Sequence, residues 1–176
     1  MNRKKILAIS GSTRINSTNS NYIKAISELY ADELEVIIYK GLSDLPHFNP
    51  DNDLEPAPEM VTDFRKQLKA ADGVLICTPE YAMGVPGALK NAIDWTVSSC
   101  EFSHKPVVLI TASSMGQKAH ESLLGTLRII EADVDETNLL IPYAKTKISA
   151  EGKITDAATL EKIKNMMSVF ISNLAN

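Results

Sequence analysis

The sequence predicts an α/β protein built on a doubly wound, five-stranded parallel sheet of order 2-1-3-4-5 in a three-layer α/β/α sandwich. Five short apolar runs are continuous rather than alternating, the pattern of strands buried on both faces. Helical patterns fill every gap between them, and strict alternation of strand and helix argues for a parallel sheet covered by helices. A chain of 176 residues with 44% hydrophobic composition is the usual size for one core, so a single domain over residues 1–176 is expected.

The first strand is Ile6-Leu7-Ala8-Ile9, and the first helix presents Ile23, Ile26 and Tyr30 at the three-or-four spacing of one face. Val36-Ile37-Ile38 follows as the second strand. The irregular segment from Gly41 to Pro58, with Pro46, Pro50, Pro56 and Pro58, reads as an excursion leading to a helix with Val61, Phe64 and Leu68 inward. The third strand is Val74-Leu75-Ile76-Cys77, and the third helix carries Leu89, Ala92, Ile93 and Val97, with Pro86 suited to its first turn. Val107-Val108-Leu109-Ile110, a helix bearing Leu123, Leu127 and Ile130, and Leu139-Leu140-Ile141 complete the sheet. Glu151-Gly152-Lys153 reads as a turn, Asp156 as the N-cap of the last helix, and Leu160, Ile163, Met167, Phe170, Ile171 and Leu174 as that helix's buried face.

Composition excludes several classes of function. A formal charge of -4 with mixed signs leaves no footprint for nucleic acid or an anionic membrane, and no stretch is long and apolar enough to span a bilayer. Met1-Asn2-Arg3-Lys4-Lys5 and the short run behind it lack the apolar core of a signal peptide. Cys77 and Cys100 stand far apart, which suits a reducing compartment, and a cytoplasmic protein is expected. His47, His104 and His120 have no spacing that supplies metal ligands, so no metal site is expected.

In a sheet of this order ligands bind beyond the carboxyl ends of the strands where the order reverses, between strands one and three. The segments that follow those strands are Gly11-Ser12-Thr13-Arg14-Ile15-Asn16-Ser17-Thr18-Asn19 and Thr78-Pro79-Glu80-Tyr81-Ala82-Met83-Gly84-Val85-Pro86-Gly87. The first opens a helix, whose unpaired N–H groups and dipole favour a phosphate. Ser12, Thr13, Ser17 and Asn19 can complete its hydrogen bonds, and Arg14 supplies a fixed charge. Taken alone, a polar first loop reads equally well as a helix cap. Neither a Walker A ending nor Gly-x-Gly-x-x-Gly is present, which favours a phosphate monoester. The second loop, stiffened by Pro79, Gly84, Pro86 and Gly87 beside Tyr81 and Met83, suits a flat ring such as an isoalloxazine, whose edge backbone amides can satisfy. The helix residues Leu89, Ala92 and Ile93 read as core, and Trp95 as core or subunit interface.

These residues carry a resemblance. Gly11-Ser12-Thr13-Arg14-x-x-Ser17-x-Asn19 and Pro79-Glu80-Tyr81-x-x-Gly84-Val85-Pro86-Gly87-x-Leu89-Lys90-Asn91-Ala92-Ile93-Asp94-Trp95 resemble the NADPH-dependent FMN reductase family, with further similarity at Leu45-Pro46-x-Phe48-Asn49 and Gly152 to Asp156. The resemblance implies a flavodoxin-like domain, a homodimer or homotetramer, whose FMN accepts hydride from NADPH or NADH and passes electrons to a small acceptor: a flavin, quinone, azo compound or chromate. Carried over by position, Ser12, Thr13, Arg14, Ser17 and Asn19 hold the phosphate, Pro79, Glu80, Tyr81, Ala82, Met83 and Gly84 border the isoalloxazine, and Ser113, Ser114, Met115 and Gly116 form a third wall.

Two positions depart from the family pattern. Ala82 stands where many relatives have Asn, and Ser114-Met115-Gly116-Gln117-Lys118-Ala119-His120 replaces a Gly-Gly step. No side chain is expected to act as a catalytic acid or base: hydride transfer to flavin needs positioning more than proton transfer, and Glu80 and Asp94 read as structural or interface residues. The other functional classes are a non-enzymatic FMN electron carrier of the flavodoxin type and a regulatory domain on the same scaffold.

Overall fold

The structure is a computed structural model that describes residues 3–54 and 56–174. Met1 and Asn2 of the N-terminal stretch read above lie outside the described residues, as does Glu55 within the excursion. The sheet is parallel throughout. The strand β1 (Lys4–Ser10) lies between β2 (Leu34–Ile38) and β3 (Gly73–Thr78), with Ile6 opposite Val36 on one side and Gly73 on the other. Beyond β3 lies β4 (Pro106–Ala112), and the expected order is the one observed.

The fifth strand departs from expectation by being broken. Asp133–Val134 (β5) and Leu139–Ile141 (β6) both pair with β4, separated by a turn. Across that gap the Asn138 side chain stands in for strand backbone, its Oδ1 accepting the Leu109 N–H at 2.6 Å. A buried backbone donor is thereby satisfied without a continuous ladder.

The helices are α1 (Thr18–Leu29), α2 (Glu59–Ala70), α3 (Gly87–Asp94), α4 (Gln117–Ile129) and α5 (Ala157–Asn173). Side chains alternate along β1: Ile6 and Ala8 pack with Ile23, Ile163, Met167 and Phe170 of α1 and α5. Leu7 and Ile9 pack with Phe64, Leu68, Leu89 and Leu123 of α2, α3 and α4 on the opposite face. This is the three-layer sandwich the sequence predicts. Asp156 caps α5 as expected, accepting the Thr159 N–H at 2.8 Å, and Gly152 turns with φ +86° just before it.

The third helix is shorter than its apolar pattern predicts. It ends at Asp94, so Val97 falls in the following turns and is exposed, and Pro86 precedes the first helical turn instead of lying in it. Trp95 is fully buried core. Its Nε1–H donates to the Pro46 carbonyl at 2.8 Å and its ring meets Phe48 edge-on at 5.1 Å. Asn91 adds two bonds, accepting from the Phe48 N–H and donating to Pro46 O. The family-like residues Asn91 and Trp95 thus clasp the family-like Leu45 to Asn49 segment. Further along, Arg65 pairs with Asp53 and donates to the Trp95 carbonyl, tying the excursion to α2. Asp94 pairs with Lys90 one turn back.

Candidate functional site

Between β1 and β3 the order in which strands are added to the sheet reverses, and the two loops that leave their carboxyl ends come together. Gly11 makes the approach possible. Its N–H donates to the Cys77 carbonyl at 2.9 Å, and a Cβ on it would lie 2.2 Å from Thr78 Oγ1, closer than any side chain tolerates. The two loops border a cleft of about 400 Å³.

One side of the cleft is the start of α1. Ser17 is its N-cap, with Oγ accepting the Asn19 N–H at 3.2 Å, so the helix-cap reading of this residue is correct and does not exclude a ligand contact by its O–H. Neither Thr18 nor Ser20 donates its backbone N–H to a protein acceptor among the described residues, and the dipole of a 12-residue helix points its positive end at the same place. Asn19 is buried at 4% exposure and faces the cleft. Its Oδ1 accepts the Cys77 thiol at 3.3 Å, which leaves the amide N–H groups to the cleft. Burial raises the Cys77 pKa well above the ordinary thiol value, so the group remains a neutral donor. Ser12 and Arg14 line the same side, Ser12 buried and Arg14 exposed. Thr13 points outward and is not among the lining residues.

The opposite side is Pro79, Glu80 and Tyr81. Tyr81 and Gly84 exchange backbone bonds at 3.0 and 2.9 Å, forming a hairpin whose two central residues, Ala82 and Met83, have φ +48° and +61°. A two-residue hairpin of this hand demands positive φ at both positions and favours Asn or Gly there. The departure at Ala82 is therefore a backbone matter as much as a lost amide. Ala82, Met83 and Gly84 lie beyond the cleft wall at its mouth, with Met83 71% exposed. The Tyr81 hydroxyl reaches across to Ser12 Oγ at 3.2 Å and joins the two loops.

Glu80 borders the cleft, but its carboxylate turns to the N-terminus of α4, accepting the Ala119 N–H at 2.9 Å and the Gly116 N–H at 3.4 Å. That cap gives the carboxylate a structural role. The Glu80 N–H in turn donates to Ser113 Oγ at 3.2 Å, so the second and third loops are stitched together. Ser113 and Ser114 form the third wall together with Ala112. Met115 and Gly116 stand outside it, Gly116 with φ +95° as the residue before α4. His120 does not line the cleft. Its Nδ1 meets Thr111 Oγ1 at 2.9 Å, and burial lowers its pKa from the usual value, against an opposing pull from Glu121.

A fourth wall escaped the sequence reading. Tyr143 and the 3₁₀ turn Ala144–Thr146 that follows it, just after β6, line the cleft beside α1. The segment is fixed by Tyr143 N–H to Ser114 O at 3.1 Å, Ala144 N–H to Ser113 O at 3.0 Å, and the buried Tyr22 hydroxyl donating to Ala144 O at 3.1 Å. Its signal was present in the topology: it leaves the carboxyl end of the last strand, at the same rim as the other three loops.

The fold and this rim of loops define a doubly wound, flavodoxin-like protein with a helix N-terminus facing a cleft of about 400 Å³ at the point where the strand order reverses. Residues 4–145 match the family described as NADPH-dependent FMN reductase, and the chain belongs to that family. It is 32% identical to the NAD(P)H-dependent FMN reductase of Pseudomonas aeruginosa, covering 93% of this chain and 91% of the relative. A quinone reductase of Escherichia coli is 30% identical over 94% and 93% of the two chains. Among solved structures, the flavoenzyme NAD(P)H:(acceptor) oxidoreductase of Paracoccus denitrificans superposes with a TM-score of 0.84 at 27% identity, covering 98% of this chain and 97% of that one. An archaeal flavodoxin, at 13% identity and a TM-score of 0.67, shares the fold alone.

Proposed function

We propose that the chain is an FMN-dependent NAD(P)H oxidoreductase that passes hydride equivalents from a reduced nicotinamide to a small acceptor such as a quinone, flavin or azo compound. The observation that carries this reading is the donor set at the start of α1. A buried Asn19 amide, the Thr18 backbone N–H without a protein partner among the described residues, and Arg14 all line the same cleft. Such a set fits a phosphate dianion and little else.

In this reading Ser12, Arg14, Ser17 and Asn19 hold the phosphate, with Thr18 added from the structure. Pro79 to Tyr81 border one edge of the isoalloxazine, Ser113 and Ser114 the next, and Tyr143 to Thr146 close the remaining side. Met115 and Gly116 shape the third loop from outside. When bound, FMN supplies the two-electron chemistry, and the protein's task is to fix the ring and leave one face accessible. The exposed side chains of Tyr81 and Tyr143, which line the cleft, give flat molecules aromatic surfaces on which to stack. No side chain of the cleft is needed as an acid or base.

We further propose a cytoplasmic homodimer or homotetramer folded as one domain, in keeping with the family resemblance; among the described residues no helix is long and apolar enough to cross a membrane. The test is direct. Purified protein is expected to carry FMN, to bleach when mixed anaerobically with NADPH alone, and to recover colour on addition of a quinone. A flavin reduced only through a separate protein donor would contradict the reductase and favour a carrier.

A further inference from the structure

The cleft does not end at its fourth wall. A second groove of about 540 Å³ continues along the outer side of α1, sharing Thr18 and Lys145 with the cleft and adding Ile15, Asn21, Lys24 and Ile148. Its chemistry differs from that of the molecule as a whole. The chain carries a net charge of -4, yet no carboxylate lines this groove, and Lys24 and Lys145 form no ion pair among the described residues. Ile15 is 98% exposed at its edge, while Ile148 is buried in its floor. Unpaired cations beside a bare apolar side chain match a ligand with a phosphate and a planar base.

We infer that this groove receives the adenosine end of the reductant, with Lys24 and Lys145 meeting its 2′-phosphate and Ile15 giving the adenine an apolar face. The inference rests on the reading of the cleft as the FMN site, because a nicotinamide over that site leaves the rest of the dinucleotide to be held outside it. It assigns NADPH over NADH as the preferred donor, and it assigns the preference to α1 and the segment after β6. Asn16, Asn21 and Ser149 border the same groove and can hydrogen-bond the ribose and base.

The FMN-loaded protein is titrated calorimetrically with adenosine 2′,5′-bisphosphate and, separately, adenosine 5′-monophosphate, with flavin content recorded on each sample. The bisphosphate is expected to bind about tenfold more tightly, the yield of one charge-assisted contact. Lys24→Glu should bring the two affinities together without loss of flavin, because Lys24 lies outside the cleft. Ile15→Ser should weaken both ligands alike. Equal affinities in the unaltered protein, a preference that survives Lys24→Glu, or release of FMN by the bisphosphate would overturn the inference. Protein that takes up no FMN overturns the reading of the cleft and this inference together, whereas flavin-loaded protein without discrimination overturns only the latter.

Discussion

The two long sides of the cleft are built differently. On the α1 side Ser12, Ser17 and Asn19, the proposed phosphate donors, are buried, bonded to the protein and backed by a helix N-terminus. The opposite side is exposed: Tyr81 is 48% and Met83 71% accessible, and Ala82 and Met83 both hold positive φ. The contrast teaches a division of labour. A phosphate has the same shape and charge throughout turnover, so its donors can be locked in advance, whereas the ring must admit two different partners in succession and its border stays open.

Gly11→Ala should damage both sides at once, since its Cβ would strike Thr78 where the loops are joined. Overpacking of this kind costs about 1–3 kcal/mol. Thermal denaturation should show the lower Tm, and flavin content the opened cleft.

Asn19→Ala breaks the locked side more selectively. Losing one hydrogen bond to a charged phosphate should weaken FMN by about ten- to a hundredfold in a fluorescence titration. Riboflavin, which lacks the phosphate, should be nearly unaffected. A similar loss for both ligands would mean that Asn19 acts through the fold alone.

Ala82→Gly sharpens the account of the open side. A non-glycine residue in the left-handed region is strained by about 1–2 kcal/mol, and glycine gives part of that back as chain entropy. A gain of up to about 1 kcal/mol in denaturant unfolding is expected, with slower turnover if the hairpin's shape serves the flavin edge. Unchanged stability would show that the hairpin is not strained.

The smallest effect is a pH dependence near the third loop. Burial lowers the His120 pKa from its ordinary 6.5, so the unfolded chain binds more protons in the window just below that value. Stability should therefore fall as pH drops through 6.5 towards the folded-state pKa, and His120→Gln should flatten that part of the profile. A profile the same in both proteins would remove His120 from the account.

Much of this was legible in the sequence because buried strands and glycine-dependent loops leave local marks. Ile6 to Ile9 and Val74 to Cys77 read as strands from apolarity alone, and the meeting of the loops after β1 and β3 at one cleft follows from the strand order. What escaped depends on contacts far apart in the chain. The fifth strand is broken because Asn138 replaces backbone pairing with a side-chain bond to Leu109, which no periodicity reveals. Glu80 looks like a cleft carboxylate until Ala119, 39 residues later, is seen to claim it. Tyr143 to Thr146 form a wall only because Ser113, Ser114 and Tyr22 hold them there.

The α1 side is proposed to recognise phosphate. Titration of flavin-free protein with FMN and with riboflavin, before and after Arg14→Ala, tests it most directly. FMN should bind at least about a hundredfold more tightly than riboflavin, the yield of two charge-assisted hydrogen bonds, and Arg14→Ala should shrink that ratio by about tenfold. Equal binding of the two flavins, or a ratio untouched by Arg14→Ala, would contradict it.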